Sequence, residues 1–353
     1  RKNMNNLKKI GLTALAGSLV ATSVMSVEMS ASGTLEVTYT TKNGKGVGTS
    51  SDSGNPFGSN TSLSFSGEGD VGFGTAKIVR TIGDNMNDNS TTASNEFLSA
   101  WQTLDLGDLG VLKFDSTGGA ITGLRANRDK LPTAYEEVWT GVSTHGITSA
   151  GSDNVIGYSN SMGGATLDLA HKRGSSAGGT GDGATGSQST NSADDWYLTL
   201  DMGSMSGMSD LDGLVLGGGY SKTTSDLTAV AGNKDAGQNT LLMHANYATG
   251  PISVGARYVE TNRGEIGAKT DTNIDAWAIA YNVNDSLTVS YAEQDTEFMD
   301  SDAANVTETA KAFNANYTVG AASVRATLGE SDDALGVTGN KDEHMEISLV
   351  LSF

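Results

Sequence analysis

The chain has 353 residues, a net charge of −19, no cysteine, 46 glycines and 3 prolines, with only 37% apolar and 6% aromatic residues. That composition excludes a disulfide framework and thiolate metal sites. An acidic balance without a basic, aromatic-interleaved patch argues against nucleic acid as a partner. Low proline with abundant glycine, serine and threonine suits long strand ladders rather than a thick apolar core.

In chain order, Lys2, Lys8 and Lys9 form a basic stretch, followed by an apolar run over residues 10–20. That run is short of the ~20 residues of a spanning helix and reads as the core of a secretory signal. A cut after Ser26 makes residues 1–26 the signal and 27–353 one exported domain. From there apolar and polar residues alternate with period two. Leu35, Val37 and Tyr39 oppose Thr34, Glu36, Thr38 and Thr40. Leu63 and Phe65 alternate with serines, and Leu112 and Phe114 oppose Val111, Lys113 and Asp115. The same pattern returns around Leu167, Leu198, Met243, Val254, Val289, Phe313 and Val324. It runs to the end through Met345, Ile347, Leu349, Leu351 and Phe353. An unblunted apolar strand of this kind needs both edges paired, as in a closed barrel.

The connections alternate. Short ones fall at residues 67–70, 107–110, 161–164, 249–251, 282–286 and 319–321, with a somewhat longer one at 204–213. Long ones fall near 42–60, 83–93, 117–153, 172–192, 222–237, 262–272, 296–306 and 329–341. The expected fold is all-β: a transmembrane antiparallel β-barrel of about 16 strands, with short periplasmic turns and long extracellular loops. In lipid every backbone amide must be bonded, so only helices or closed barrels span. A strand needs only alternate apolar residues, which leaves mean hydropathy low. Tyr39, Tyr247, Tyr258 and Tyr291, at segment ends, suit interfacial girdles.

Several motifs read as structure rather than chemistry. Gly67-Glu68-Gly69-Asp70-Val71-Gly72 fits GxGxxG, but a strand follows where a dinucleotide site needs a helix, so a hairpin turn is expected. His145, His171, His244 and His344 show no metal-ligand spacing. Asp84-Asn85-Met86-Asn87-Asp88-Asn89 offers oxygen ligands without the EF-hand glycine and glutamate. A solvated loop and no cofactor are expected, with calcium at surface loops as the alternative. The three methionines of 202–208 near a longer turn have no assigned role.

Three stretches resemble the Gram-negative general porins, closest to their alphaproteobacterial branch. They are Ser30-Ala31-Ser32-Gly33-Thr34-Leu35-Glu36-Val37, Asn154-Val155-Ile156-Gly157-Tyr158-Ser159, and the final strand ending in Phe353. The family's usual Ser-Pro after the tyrosine is Ser159-Asn160 here. The resemblance implies a homotrimer in outer-membrane lipid and lipopolysaccharide, passing small hydrophilic solutes and ions passively, with Phe353 as assembly signal. It implies that the long loop near 117–153 folds inward. Its Arg125, Arg128, Asp129, Lys130, Glu136 and Glu137 would then meet inward bases Lys77, Lys113, Arg257 and Arg325 at a constriction. Lys77 and Arg80 lie on opposite faces of one strand, so only one enters the lumen. The net charge suggests a mild cation preference, although fixed charges beyond about 8 Å from an ion are largely screened. A substrate-selective channel, a secreted β-rich adhesin and a barrel enzyme are the alternatives. A selective channel would show a lumen ladder of aromatics or arginines. An adhesin needs no alternation of loop lengths, and an enzyme needs a Ser–His pairing not found here.

Overall fold

The computed structural model describes residues 27–44, 55–86, 97–115, 123–151, 154–173, 192–207, 209–224, 237–262, 271–299 and 304–353. The expected signal at 1–26, Asn87–Asn89 of the oxygen-rich run, residues 174–191 of the expected 172–192 connection and Met208 lie outside them. The strands are β1 (Val27–Gly44), β2 (Phe57–Asp70), β3 (Thr75–Met86), β4 (Phe97–Asp105), β5 (Val111–Asp115), β6 (Val155–Met162), β7 (Ala165–Lys172) and β8 (Ser192–Asp201). They continue as β9 (Leu214–Thr224), β10 (Gly237–Thr249), β11 (Ile252–Asn262), β12 (Asp271–Asn284), β13 (Leu287–Met299), β14 (Val306–Val319), β15 (Ala322–Asp332) and β16 (Lys341–Ser352). Among the described residues two short α-helices interrupt them, α1 (Gly123–Ala126) and α2 (Met202–Ser206).

All sixteen strands form one closed barrel in sequence order, each antiparallel to the next. β1 pairs with β16 from Thr34↔Ser352 to Gly44↔Asp342, so no edge is left open. Beyond the last strand residue, Phe353 N–H donates to Gly33 O (3.0 Å) and Gly33 N–H to Phe353 O (2.8 Å).

The period-two pattern sets the two faces. Leu35, Phe65, Leu112, Trp196, Met243, Val254, Trp277, Phe313, Val324 and Leu349 all point outward and are exposed. An apolar surface that continues around a whole barrel needs a non-aqueous surround. Outward aromatics pair across strands, as in Tyr39–Phe57 (5.4 Å) and Trp277–Tyr291 (5.7 Å).

Several strands run past the expected loop starts. β1 continues to Gly44, β3 to Met86 and β13 to Met299. The reason is that apolar alternation stops at the lipid boundary, whereas backbone pairing continues into water. Outward positions there are polar, as in Asp275↔Asp295 and Glu330↔Glu343. The glycine-rich motif is the β2–β3 hairpin, with its turn at residues 71–74, slightly later than expected.

The inward face is small on one side of the barrel. Ala276, Ala278, Ala292, Ala310 and Ala312 form a shallow wall against which Leu131, Val138 and Val142 of the β5–β6 loop are buried. Leu124 and Ile147 bury against Tyr197, Leu242, Val259 and Ile274, and Ala150 against Val155, Ala170 and Ala193. The apolar core of this protein is therefore the seam between an inserted loop and the inner wall.

Candidate functional site

The inserted loop is bonded along its length to inward side chains. Ala150 N–H donates to Asp195 on β8 (3.0 Å), and Thr148 N–H to Thr240 Oγ1 on β10 (3.0 Å). Thr261 on β11 donates to Gly146 O (2.6 Å), and Gln294 Nε2 on β13 to Thr144 O (2.9 Å). Asn314 Nδ2 on β14 donates to Glu136 O (3.0 Å), and Ser331 Oγ on β15 to Val142 O (3.0 Å). Tyr135 OH donates to Glu346 Oε1 on β16 (2.5 Å). These anchors run from β8 round to β16, so the open passage lies between the loop and the wall made by β1 to β5.

Beside that passage, Glu136 stands within electrostatic reach of Glu346, Glu36 and Arg325. Its carboxylate accepts from Thr140 Oγ1 (2.9 Å). Burial raises the Glu136 pKa above the usual range, Thr140 opposes the rise, and Glu346 and Glu36 add to it. Glu346 also accepts from Thr40 (3.1 Å), and Glu36 from Ser348 Oγ (2.5 Å). The Arg325 guanidinium lies over the Tyr135 ring at 5.5 Å. Three carboxylates and one guanidinium thus meet where the loop joins the β15–β16–β1 wall.

The other sequence-selected residues are distributed differently. Lys77 faces the lumen, paired with Glu68 at 3.1 Å, and Lys113 faces inward one hydrogen-bonded row away through Thr103. Both are second inward positions above short turns, on the wall opposite the loop anchors. Arg80 faces outward, opposite Phe65 and Ala100. Arg128 pairs with Asp129 (3.0 Å). Arg125 is part-buried on α1.

Arg257 faces inward as expected but is only 2% exposed, covered by the loop rather than by solvent. Its guanidinium sits 4.2 Å from the Trp139 ring and donates to Arg128 O (3.1 Å) and Gln294 Oε1 (2.7 Å). Glu137 lies in the same seam. Burial and then repulsion from Asp129 push its pKa up to about 8 against attraction by Arg257. Glu136 thus stands with Glu346, Glu36 and Arg325, and Glu137 with Asp129 and Arg257, and the two glutamates remain within electrostatic reach of each other.

His145 is held neutral, its pKa pulled down to about 4 by burial and by Arg128 and Arg257. Among the described residues no group of three His, Cys, Asp or Glu is arranged to hold a metal ion. Glu36, Glu346 and Tyr135 were not selected from sequence. The first two were visible as inward positions of the first and last strands, but nothing local distinguished them from other polar inward residues.

A family model described as Gram-negative porin matches residues 10–351. No curated protein matches the sequence. Among solved structures, the trimer form of Vibrio cholerae OmpT is 11% identical, with a TM-score of 0.61 over 93% of this chain and 100% of that one. Salmonella typhi OmpF, in complex with daunomycin, is 14% identical with a TM-score of 0.63 over 92% and 97%. An anion-selective porin from Comamonas acidovorans is 16% identical with a TM-score of 0.62 over 93% and 100%. At these identities the likeness is one of fold.

Proposed function

From the premise that this chain belongs to the Gram-negative porins, outer-membrane channels for passive diffusion, we propose that its constriction is formed by Glu36, Glu136, Glu346 and Arg325, and that it favours small hydrophilic cations. The observation that carries this reading is the loop docked from β8 to β16, with Glu136 delivered beside Glu346 and Glu36. Lys77, Lys113, Arg125, Arg128 and Asp129 are peripheral charges of the same passage. Lys77 is partly neutralised by Glu68.

The assembly is proposed as a homotrimer. Arg80 and Gln102 point outward between apolar Ile78, Ile82 and Phe114, at the height of the apolar belt. An arginine facing lipid at mid-depth costs about 2–4 kcal/mol. Covering the β2–β5 face with a second copy removes it from lipid, and a trimer form of a fold relative agrees with that reading. Residues 1–26 are read as the export signal and Phe353 as the assembly signal. No cofactor is required. Lipopolysaccharide surrounds the outer half, with calcium at surface loops as the one candidate ion, and the three quoted stretches favour the alphaproteobacterial branch.

The test is the reversal potential of the refolded chain in a planar bilayer under a salt gradient. Removing one carboxylate about 4 Å from an ion in water changes its energy by about 1 kcal/mol, or roughly fivefold. Glu36→Gln with Glu346→Gln should therefore lower the cation-to-anion permeability ratio several-fold. Anion preference in the natural chain, or an unchanged ratio in the variant, overturns the proposal.

A further inference from the structure

The turn between β8 and β9 is larger than its neighbours and carries methionines that neither the barrel nor the constriction uses. Met202-Gly203-Ser204-Met205-Ser206-Gly207-Met208 repeats methionine at every third position, although the whole chain has only 11. Met202 and Met205 lie on α2, a single turn with defined ends. The Asp201 carboxylate accepts from Ser204 N–H (3.1 Å) and Ser204 Oγ (2.9 Å), and Gly207 closes the turn in the left-handed region. Residues three apart on a helix are neighbours, with Cβ atoms about 5–6 Å apart. Their thioether arms can therefore reach one ion.

A third thioether lies on the adjoining turn. Met162 is 77% exposed at the end of β6, and Met205 is 46% exposed. The Met205 side chain rests on Gly164, where a Cβ would come within 2.8 Å of its Cγ. Asp201 N–H donates to Gly164 O (2.8 Å), which ties the two turns together. The Asp201 carboxylate is committed to capping α2, and that of Asp212 lies against Gly203, where a Cβ would come within 2.5 Å of its Oδ1.

We propose that this corner of the periplasmic rim binds monovalent copper, Cu(I), through the sulfur atoms of Met202, Met205 and Met162. Thioethers are soft, neutral ligands that select Cu(I) over Zn(II) and the other hard or borderline divalent ions. They have no proton to lose, so binding is independent of pH, unlike binding by histidine or carboxylate. The rim location puts the site in the periplasm, in contact with ions that have crossed the channel, and away from the constriction.

The experiment is anaerobic titration of the detergent-folded full chain with Cu(I) against a competing Cu(I) chelator, at pH 5.5 and 7.5. The expected result is one Cu(I) per chain, with equal affinity at both pH values and no comparable uptake of Zn(II). Met202→Leu with Met205→Leu keeps the apolar surface and removes the sulfur. It should weaken binding at least tenfold, and Met162→Leu several-fold, with the barrel's heat-modifiable migration unchanged. No binding by the natural chain, undiminished binding in either leucine variant, or affinity that falls tenfold at the lower pH would each overturn the assignment. Because the readout is metal retention rather than current, failure of this site and failure of the constriction reading are distinguishable.

Discussion

Truncating Arg257 to alanine should free the inserted loop while leaving the barrel intact. The guanidinium makes two hydrogen bonds, to Arg128 O on the loop and to Gln294 Oε1 on the wall. It also stacks at 4.2 Å on Trp139 of the loop. A hydrogen bond from a charged donor contributes about 1.5–3 kcal/mol, and a desolvated cation–π contact about 2. Part of that is recovered as water enters, and Glu137 can hold a proton because burial and Asp129 lift its pKa to about 8. A net loss of roughly 3 kcal/mol in loop docking remains, a factor of about a hundred in the docked-to-released ratio. Two assays read it. Trypsin should nick the folded variant at Arg125, Arg128 or Lys130 far faster than the natural chain, and single-channel recordings should show higher conductance or greater open-state noise. The strand ladder is untouched, so heat-modifiable migration should not change. Equal nicking and equal noise in the two proteins would refute the idea that Arg257 holds the loop down.

Docking should also depend on pH. Glu137 has its pKa raised to about 8 in the seam, so the docked loop binds the extra proton and docking weakens as pH rises between the ordinary carboxylate range and about 8. His145, lowered to about 4, acts in the opposite sense: docking weakens as pH falls from the ordinary histidine range toward 4. Open-channel noise should therefore grow from about pH 7 to 8 in the natural chain and not in Glu137→Gln. A Gly141→Ala variant places a side chain at φ +76° against the His344 ring. It should loosen the same loop by about 1–3 kcal/mol, read as faster tryptic nicking. Gly33→Val meets the Phe353 ring at the barrel seam. It should lower the yield of heat-modifiable barrel through overpacking of about 1–3 kcal/mol, whereas the same change at Gly67, with only Ile78 near at 3.7 Å, should be tolerated.

Much of the architecture was written in local order. Side chains alternate across a strand whatever its neighbours do, so Leu349, Leu351 and Phe353 declare an outward face by themselves. Loop lengths declare which rim is which, and the strand count follows. Lys77 rather than Arg80 as the lumen base needed only the register, because Glu68↔Lys77 and Phe65↔Arg80 share faces across β2 and β3. The site was less legible. Inward polarity is shared by dozens of residues, and which of them meet depends on where a long loop lies, a non-local matter fixed by small contacts. The alanine wall of β12 to β14 admits Val138 and Val142, and that seating brings Glu136 toward Glu36 and Glu346 and Glu137 toward Arg257, which the loop covers. Sequence alone determined the barrel, its faces and its rims, because period and spacing are properties of consecutive residues. Only the tertiary structure decided which charges meet one another and which are covered, as Arg257 is beneath Trp139, because the seat of a long loop is not written in a side chain's identity or inward direction.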